Sequence, residues 1–428
     1  MSVLYRWLTR LLRRAAPALA RPGSKLHAGL AGRTDAHDTL AAWGRTARDP
    51  ARPLFWFHAP SVGEGLQAQA VIDALRVARP DVQIAFTHFS PSASALAERI
   101  GADVAAYLPW DLPETLEPVL DGLRPSAIVF TKTEVWPVLT RSAAARSIPV
   151  ALIGGSVPDG SSRAVWPTRA FLRSTWGRLS LACANSAEDA VRLIDLGVGL
   201  GVARVTGDPG IDSAARRAGA ADPSAPYLAP FRAVPTATVV AGSTWPSDEA
   251  VLVPALGATR AAVAGLRVVL APHEPSEERV RALLEALAAD GWRATTLGAV
   301  RRAGSLGDHD AVVVDSVGQL AHLYTIGDVA FVGGGFRDEG LHSVLEPAAA
   351  GIPIVIGPRH WNARAAGDLV RTGGAKIALN DVEMGRAFAG WLADGEARAA
   401  AGAGAWGYID GHRGAAARTA DLLKALIE

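Results

Sequence analysis

A chain of 428 residues is longer than one ordinary compact domain and suits two, each able to bury its own core. Its 43 Lys and Arg against 42 Asp and Glu leave no bulk field to attract a polyanion, so composition speaks against nucleic acid as a partner. The single cysteine, Cys183 in an apolar run, excludes an intrachain disulfide and a multi-cysteine zinc site.

The first segment, residues 1–35, places Leu4, Trp7, Leu8, Leu11 and Leu12 at helical spacing with Arg6, Arg10, Arg13 and Arg14 among them. This predicts a basic amphipathic helix. It is too short and too charged to span a bilayer and lacks the cleavage site of a signal peptide. It suits either an anionic membrane surface or simple packing on the domain with a solvated arginine face. From residue 54 onward, apolar β-rich runs at 54–58, 82–87, 127–130, 150–153, 179–184 and 204–206 alternate with helical patterns at 66–77, 94–100 and 187–196. That rhythm predicts a parallel sheet with crossover helices, a Rossmann-like domain over 36–213. Residues 214–235 lose the periodicity and read as a linker. The rhythm resumes at 238–241, 267–270, 311–314, 329–332 and 352–356, which predicts a second Rossmann-like domain over 236–428. The fold class expected is α/β, two such domains facing a cleft, with functional residues just after strands.

Several motifs occupy that position. His58-Ala59-Pro60-Ser61-Val62-Gly63-Glu64 follows the first strand; Glu64 can take a proton from a hydroxyl, yet Ser61-x-x-Glu64 is also a capping box, and the residues alone favour the cap. Thr131-Lys132-Thr133-Glu134-Val135-Trp136-Pro137 puts two charges at the end of a buried strand; Glu134 serves equally as a charge complementing a helix dipole. Gly333-Gly334-Gly335 after strand 329–332 either allows backbone amides to approach a phosphate at the start of a following helix or simply makes a sharp turn, and Glu346 in Gly340-Leu341-His342-Ser343-Val344-Leu345-Glu346-Pro347 can accept from a ribose diol. Two basic turns, at His273 and at Arg359-His360, flank this region. Asp308-His309-Asp310 precedes a strand and reads as a solvated loop. Metalloprotease, zinc and nucleophile-elbow patterns are absent, and no metal or cofactor is expected.

Taken in order, HAPSVGE at 58–64, the turn Thr87-x-x-Ser90-Pro91-Ser92, Tyr107-Leu108-Pro109-Trp110-Asp111, TKTEVWP at 131–137, Ala184-Asn185-Ser186, Thr206-Gly207-Asp208, Ala241-Gly242-Ser243-Thr244 and GLHSVLEP at 340–347 resemble the 3-deoxy-D-manno-octulosonic acid (Kdo) transferase family, from about Leu4 to Asp368. The resemblance implies a GT-B glycosyltransferase fold and metal-independent inverting transfer of Kdo from CMP-Kdo to a lipid A precursor. It also implies attachment to the inner membrane, peripheral or monotopic, on its cytoplasmic face. It assigns Glu64 as general base and places Glu134 in the catalytic set. It carries the CMP contacts onto Pro272, His273, Val317, Gly318, Gln319, Ser343, Val344, Leu345 and Glu346. Two departures stand out: Lys132 replaces a family glutamate, and Gly210 stands where the family has a lysine. Lys132 is therefore a candidate for the missing cation. Transfer of another nucleotide-activated sugar, a nucleotide-sugar epimerase and a catalytically inert binding homologue are the alternatives on the same fold.

Overall fold

The apolar runs assemble into two parallel sheets in the computed structural model, which describes residues 2–158 and 160–428. The first sheet contains β1 (Leu54–His58), β2 (Gln83–His88), β3 (Val104–Tyr107), β4 (Ala127–Thr131), β5 (Val150–Gly155), β6 (Leu181–Ala184) and β7 (Ala203–Val205), in the order β3-β2-β1-β4-β5-β6-β7. The second contains β8 (Thr238–Thr244), β9 (Arg267–Pro272), β10 (Ala294–Thr296), β11 (Ala311–Val313), β12 (Val329–Val332), β13 (Ile354–Ile356) and β14 (Ala375–Ile377), in the order β10-β11-β9-β8-β12-β13-β14.

Burial on both faces explains why the central strands are apolar throughout rather than alternating. On β1, Leu54 and Trp56 enter the core on one side of the sheet and Phe55 and Phe57 the core on the other. Strand order reverses between β1 and β4 in the first sheet and between β8 and β12 in the second. At such a point the crossover helices leave to opposite faces and open a crevice at the strands' carboxyl ends, where doubly wound folds bind ligands. The motifs at 58–64 and 131–137 leave the first reversal point, and those at 241–244 and 333–347 leave the second.

Three strands escaped the sequence reading: β3, β10 and β14. Each lies at a sheet edge and is partly exposed, so its residues carry no continuous apolar run. The stretch expected as a linker, 214–235, holds the end of the helix Pro209–Gly219 and a short helix Ala229–Ala233. The chain divides into two compact units after Ser213, and the first of them takes back Arg413–Glu428, which sequence reading had placed in the second domain. The reason is local: Asp212 accepts the N–H groups of Gly414 and Ala416 at 2.7 and 2.8 Å, and Ala416, Ala420 and Leu423 join the core around Phe55 and Phe57.

The amphipathic segment at the N-terminus forms helix α1 (Ser2–Leu19), followed by α2 (Lys25–Thr34) and α3 (Ala36–Thr46). Tyr5 donates to Asp111 at 2.9 Å and Arg10 grips Glu114 with two nitrogens at 2.7 and 2.8 Å, so α1 is tied to the first unit. Its apolar stripe is not what packs there. Leu4, Trp7, Leu8, Leu11 and Leu12 remain exposed.

Candidate active site

Helix α4 (Val62–Ala78) starts at the end of β1, and Glu64 lies in its first turn. Ser61 has the extended backbone of a cap residue, but its side chain makes no bond to the helix backbone. Its hydroxyl donates instead to the Glu64 carboxylate. The capping box is therefore not formed, and Glu64 is free of the duty that the residues alone favoured for it. The second carboxylate oxygen takes Lys132 Nζ at 3.1 Å; Glu64 is largely buried while Lys132 is half exposed. Lys132 reaches it from the end of β4 through a left-handed turn, φ 64°, a conformation that a residue with a Cβ adopts at a cost.

Asp208 completes this edge: its Oδ1 accepts from Gln67 Nε2 at 2.9 Å and from the Gly210 N–H at 2.7 Å. Burial raises its carboxyl above the usual carboxylate range, against the pull of those two bonds and of the nearby Lys132 ammonium. Four buried oxygens in this unit, Gln67 Oε1, Thr131 Oγ1, Asn185 Oδ1 and Ser213 Oγ, have no protein partner among the described residues. Polar atoms are rarely left so in a structural core and are common where a polar ligand is received.

Glu134 stands apart from the pair. It precedes the helix Pro137–Ala144 by a full turn's length and bonds Arg163 at 2.7 Å, so it does not complement that helix's dipole. Asp111 does so from outside, accepting from Val138 and Leu139 N–H at 2.9 Å each, while its own burial pushes its carboxyl up to about 6.

Behind the pair, His58 is fully buried. Trp136 Nε1, which can only donate, points at His58 Nε2 at 3.2 Å, so the proton sits on Nδ1, which donates to Thr87 O at 3.1 Å. Burial pulls this imidazole down to about 3. Sequence reading missed His58 as a support because a strand-end histidine has no partner in its own neighbourhood of the chain; Trp136 is 78 residues away.

In the second unit, Pro272 ends β9 and His273 follows it, Val317 to Gln319 follow β11, and Ser343 to Glu346 follow β12, so all three expected donor segments leave one edge of one sheet. His273 stacks on His342 at 4.2 Å and on Trp245 at 4.8 Å, and Trp245 Nε1 donates to His342 Nε2 at 2.8 Å. Burial, with His273 and Arg337 nearby, holds His342 down to about 4. Glu346 is ion-paired with Arg217.

The triple glycine corrects an expectation. The buried Asp248 carboxylate takes the N–H groups of Gly334 and Phe336 at 2.8 and 3.2 Å, and Gly333 N–H goes to Gly242 O at 2.9 Å. The next helix, Leu345–Ala349, starts well downstream and is a single short turn. The amides of Gly333 and Gly334 thus serve the loop rather than an approaching phosphate. Glycine is required for another reason: a Cβ on Gly333 would lie 2.3 Å from Ser243 O, and one on Gly335 would lie 2.7 Å from Gly357 Cα. Asn362 fixes the following segment by exchanging two 2.9 Å bonds with the Leu341 backbone. Asp308 and Asp310 lie on the loop expected of them and pair with Arg293.

A family model described as 3-deoxy-D-manno-octulosonic-acid transferase (kdotransferase) matches residues 37–212. The 3-deoxy-D-manno-octulosonic acid transferase of Bordetella pertussis is 32% identical over 403 residues, 90% of each chain. Among solved structures, a UDP-N-acetylglucosamine 2-epimerase from Listeria monocytogenes superimposes with a TM-score of 0.63 at 11% identity, covering 88% of this chain and 97% of that one. The glycosyltransferase of kitacinnamycin gives 0.53 at 17% identity, covering 89% and 100%. At these identities the two structures speak for the fold alone, which is GT-B.

Proposed function

This chain belongs to the 3-deoxy-D-manno-octulosonic acid transferase family, and we propose that it moves Kdo from CMP-Kdo to a sugar hydroxyl of a lipid A precursor, with Glu64 as the base. It is a glycosyltransferase of lipopolysaccharide synthesis. The observation that carries the catalytic assignment is the Glu64 carboxylate at the reversal point of the first sheet, released from capping and held by Ser61 and Lys132.

The acceptor hydroxyl gives its proton to Glu64 as its oxygen attacks the anomeric carbon of Kdo. The bond from that carbon to the phosphate oxygen breaks on the opposite face, and CMP departs with the electron pair. Lys132 orients the carboxylate and supplies the cation that Gly210 cannot; its proximity to both Glu64 and Asp208 supports that role. Glu134, fixed by Arg163, helps to shape the acceptor side. In the second unit Pro272, His273, Val317, Gly318, Gln319, Ser343, Val344, Leu345 and Glu346 hold the CMP moiety, Glu346 toward the ribose.

The exposed apolar face of α1, bordered by arginines, supports docking on the anionic cytoplasmic face of the inner membrane, where a lipid acceptor is met. No described helix is long and apolar enough to cross a membrane, so this docking lies on the surface. Incubation with a lipid A precursor and CMP-Kdo, read by mass spectrometry, tests the proposal. Kdo addition that vanishes in Glu64→Ala supports it, and no addition by folded wild-type protein overturns it.

A further inference from the structure

The opposite edge of the first sheet carries a second concentration of charge. There a cavity of about 380 Å³ is lined by Arg48, Arg52, Arg79 and Arg124, with Ser126 and apolar residues completing the wall and no carboxylate among the lining residues. Arg52, Arg79 and Arg124 stand shortly before β1, β2 and β4, three neighbouring parallel strands, so the cavity sits at their amino ends. Glu64 and Lys132 lie beyond the carboxyl ends of β1 and β4, roughly 15 Å away along the strands.

Two of these guanidiniums are aimed rather than neutralised. Arg48 donates from Nε to Leu123 O at 3.1 Å and from Nη1 to Gln83 Oε1 at 2.6 Å. Arg52 donates from Nε to Asp81 O at 2.7 Å and from Nη2 to Val82 O at 3.3 Å. Neutral oxygens fix a planar fork but leave its net charge in place, and Arg48 Nη2 and Arg52 Nη1 bond no described residue. Arg124 ends the helix Pro113–Leu123 with φ 44°, a left-handed conformation that usually falls to glycine, and its side chain has no partner among the described residues. Of the four, Arg79 alone is ion-paired with a described carboxylate, Asp81 at 3.0 Å and Glu428 at 3.8 Å. Burial, together with neighbouring Arg124 and Arg52, draws the Arg48 guanidinium below its ordinary value against the pull of Asp49. Ser126 Oγ accepts from Leu54 N–H at 3.2 Å, which leaves the hydroxyl proton to donate.

Like charges gathered in one cavity repel, and an oxyanion relieves that repulsion while taking the free donors. Neighbouring strands lie about 4.8 Å apart, so three strand starts spread these donors over roughly 10 Å, more than a single phosphate group reaches. We propose that this cavity binds an anion with two adjacent phosphate groups, a phosphoanhydride such as pyrophosphate, at a site separate from the transfer centre. Isothermal titration calorimetry at fixed ionic strength, with sodium pyrophosphate and sodium phosphate as titrants, tests it. Wild type binds pyrophosphate about tenfold or more tightly than phosphate. Arg124→Asn removes one charge from an exposed turn whose left-handed backbone asparagine accepts, so the fold is kept; it loses about tenfold in pyrophosphate affinity, the scale of one charge-assisted bond, and Arg124→Lys retains part of it. No binding by wild type, equal affinity for the two anions, or an affinity unchanged in Arg124→Asn overturns the site. A nucleoside triphosphate titrated alongside separates two sources of the same chemistry: binding as tight as pyrophosphate supports the site as one for a nucleotide's phosphate tail, and tenfold weaker binding supports it as one for the free anion.

Discussion

The carboxyl edges of the two sheets share one topology and hold different chemistry. The first carries a carboxylate and an ammonium 3.1 Å apart, a half-buried aspartate with a raised pKa, and buried oxygens without protein partners in the same unit. The second is more nearly self-satisfied: Asp248 takes the amides of Gly334 and Phe336 and three aromatic rings stack on one another, while Arg217 Nε, on the side chain paired with Glu346, is its buried side-chain nitrogen without a partner among the described residues. An edge of unpaired polar groups is suited to moving protons, and one of close-packed backbone and rings is suited to holding a flat, charged ligand in a fixed pose.

The comparison breaks most visibly at Glu64. Glu64→Gln lowers kcat about a thousandfold, within the usual range for a general base, and leaves the KM for CMP-Kdo little changed. If the donor KM moves instead, the division of labour is wrong.

His58 sharpens it through pH. The folded imidazole refuses a proton until about pH 3, whereas the unfolded one takes it near 6.5. Stability therefore falls as pH drops through that window, by about 1.4 kcal/mol per pH unit. Asp111 works in the opposite sense: its folded carboxyl holds a proton up to about 6 against 3.8, so it adds stability as pH falls through that interval. Urea titrations of wild type and His58→Gln between pH 7 and 5 isolate the histidine, because glutamine can still accept from Trp136. A shared slope in the two proteins refutes the assignment.

In the second unit the sensitive position is backbone. Gly334 has φ 94°, and a Cβ there would lie 2.4 Å from Gly340 O, so Gly334→Ala costs about 2 kcal/mol in urea unfolding and weakens CMP binding. The smallest effect belongs to Lys132. Lys132→Ala loses about tenfold in kcat, the scale of one charge contact, while Lys132→Arg retains most of it. A fully active alanine variant ends its role as the compensating cation.

Legibility in the sequence followed burial. The strands at the centre of each sheet announce themselves because both faces are covered, whereas β3, β10 and β14 lie at edges with most of their residues partly or fully exposed. Glu64 was visible as a residue in the right place: the residues alone favoured a cap for it, and the family resemblance made it the expected base. Ser61-x-x-Glu64 reads as a capping box in sequence, and the direction of the Ser61 hydroxyl shows that the cap is not formed.

The sequence by itself determined the alternation of buried strands and amphipathic helices, the two-sheet α/β class, and the positions where chemistry gathers after strands, since all of these follow from the spacing of apolar residues. Tertiary structure alone decided the partners: Lys132 with Glu64 across 68 residues, Trp136 with His58 across 78, and Asp212 with the returning C-terminal helix across more than 200. A hydrogen bond depends on distance in space, and chain separation carries no record of it until the sheet brings the strand ends side by side.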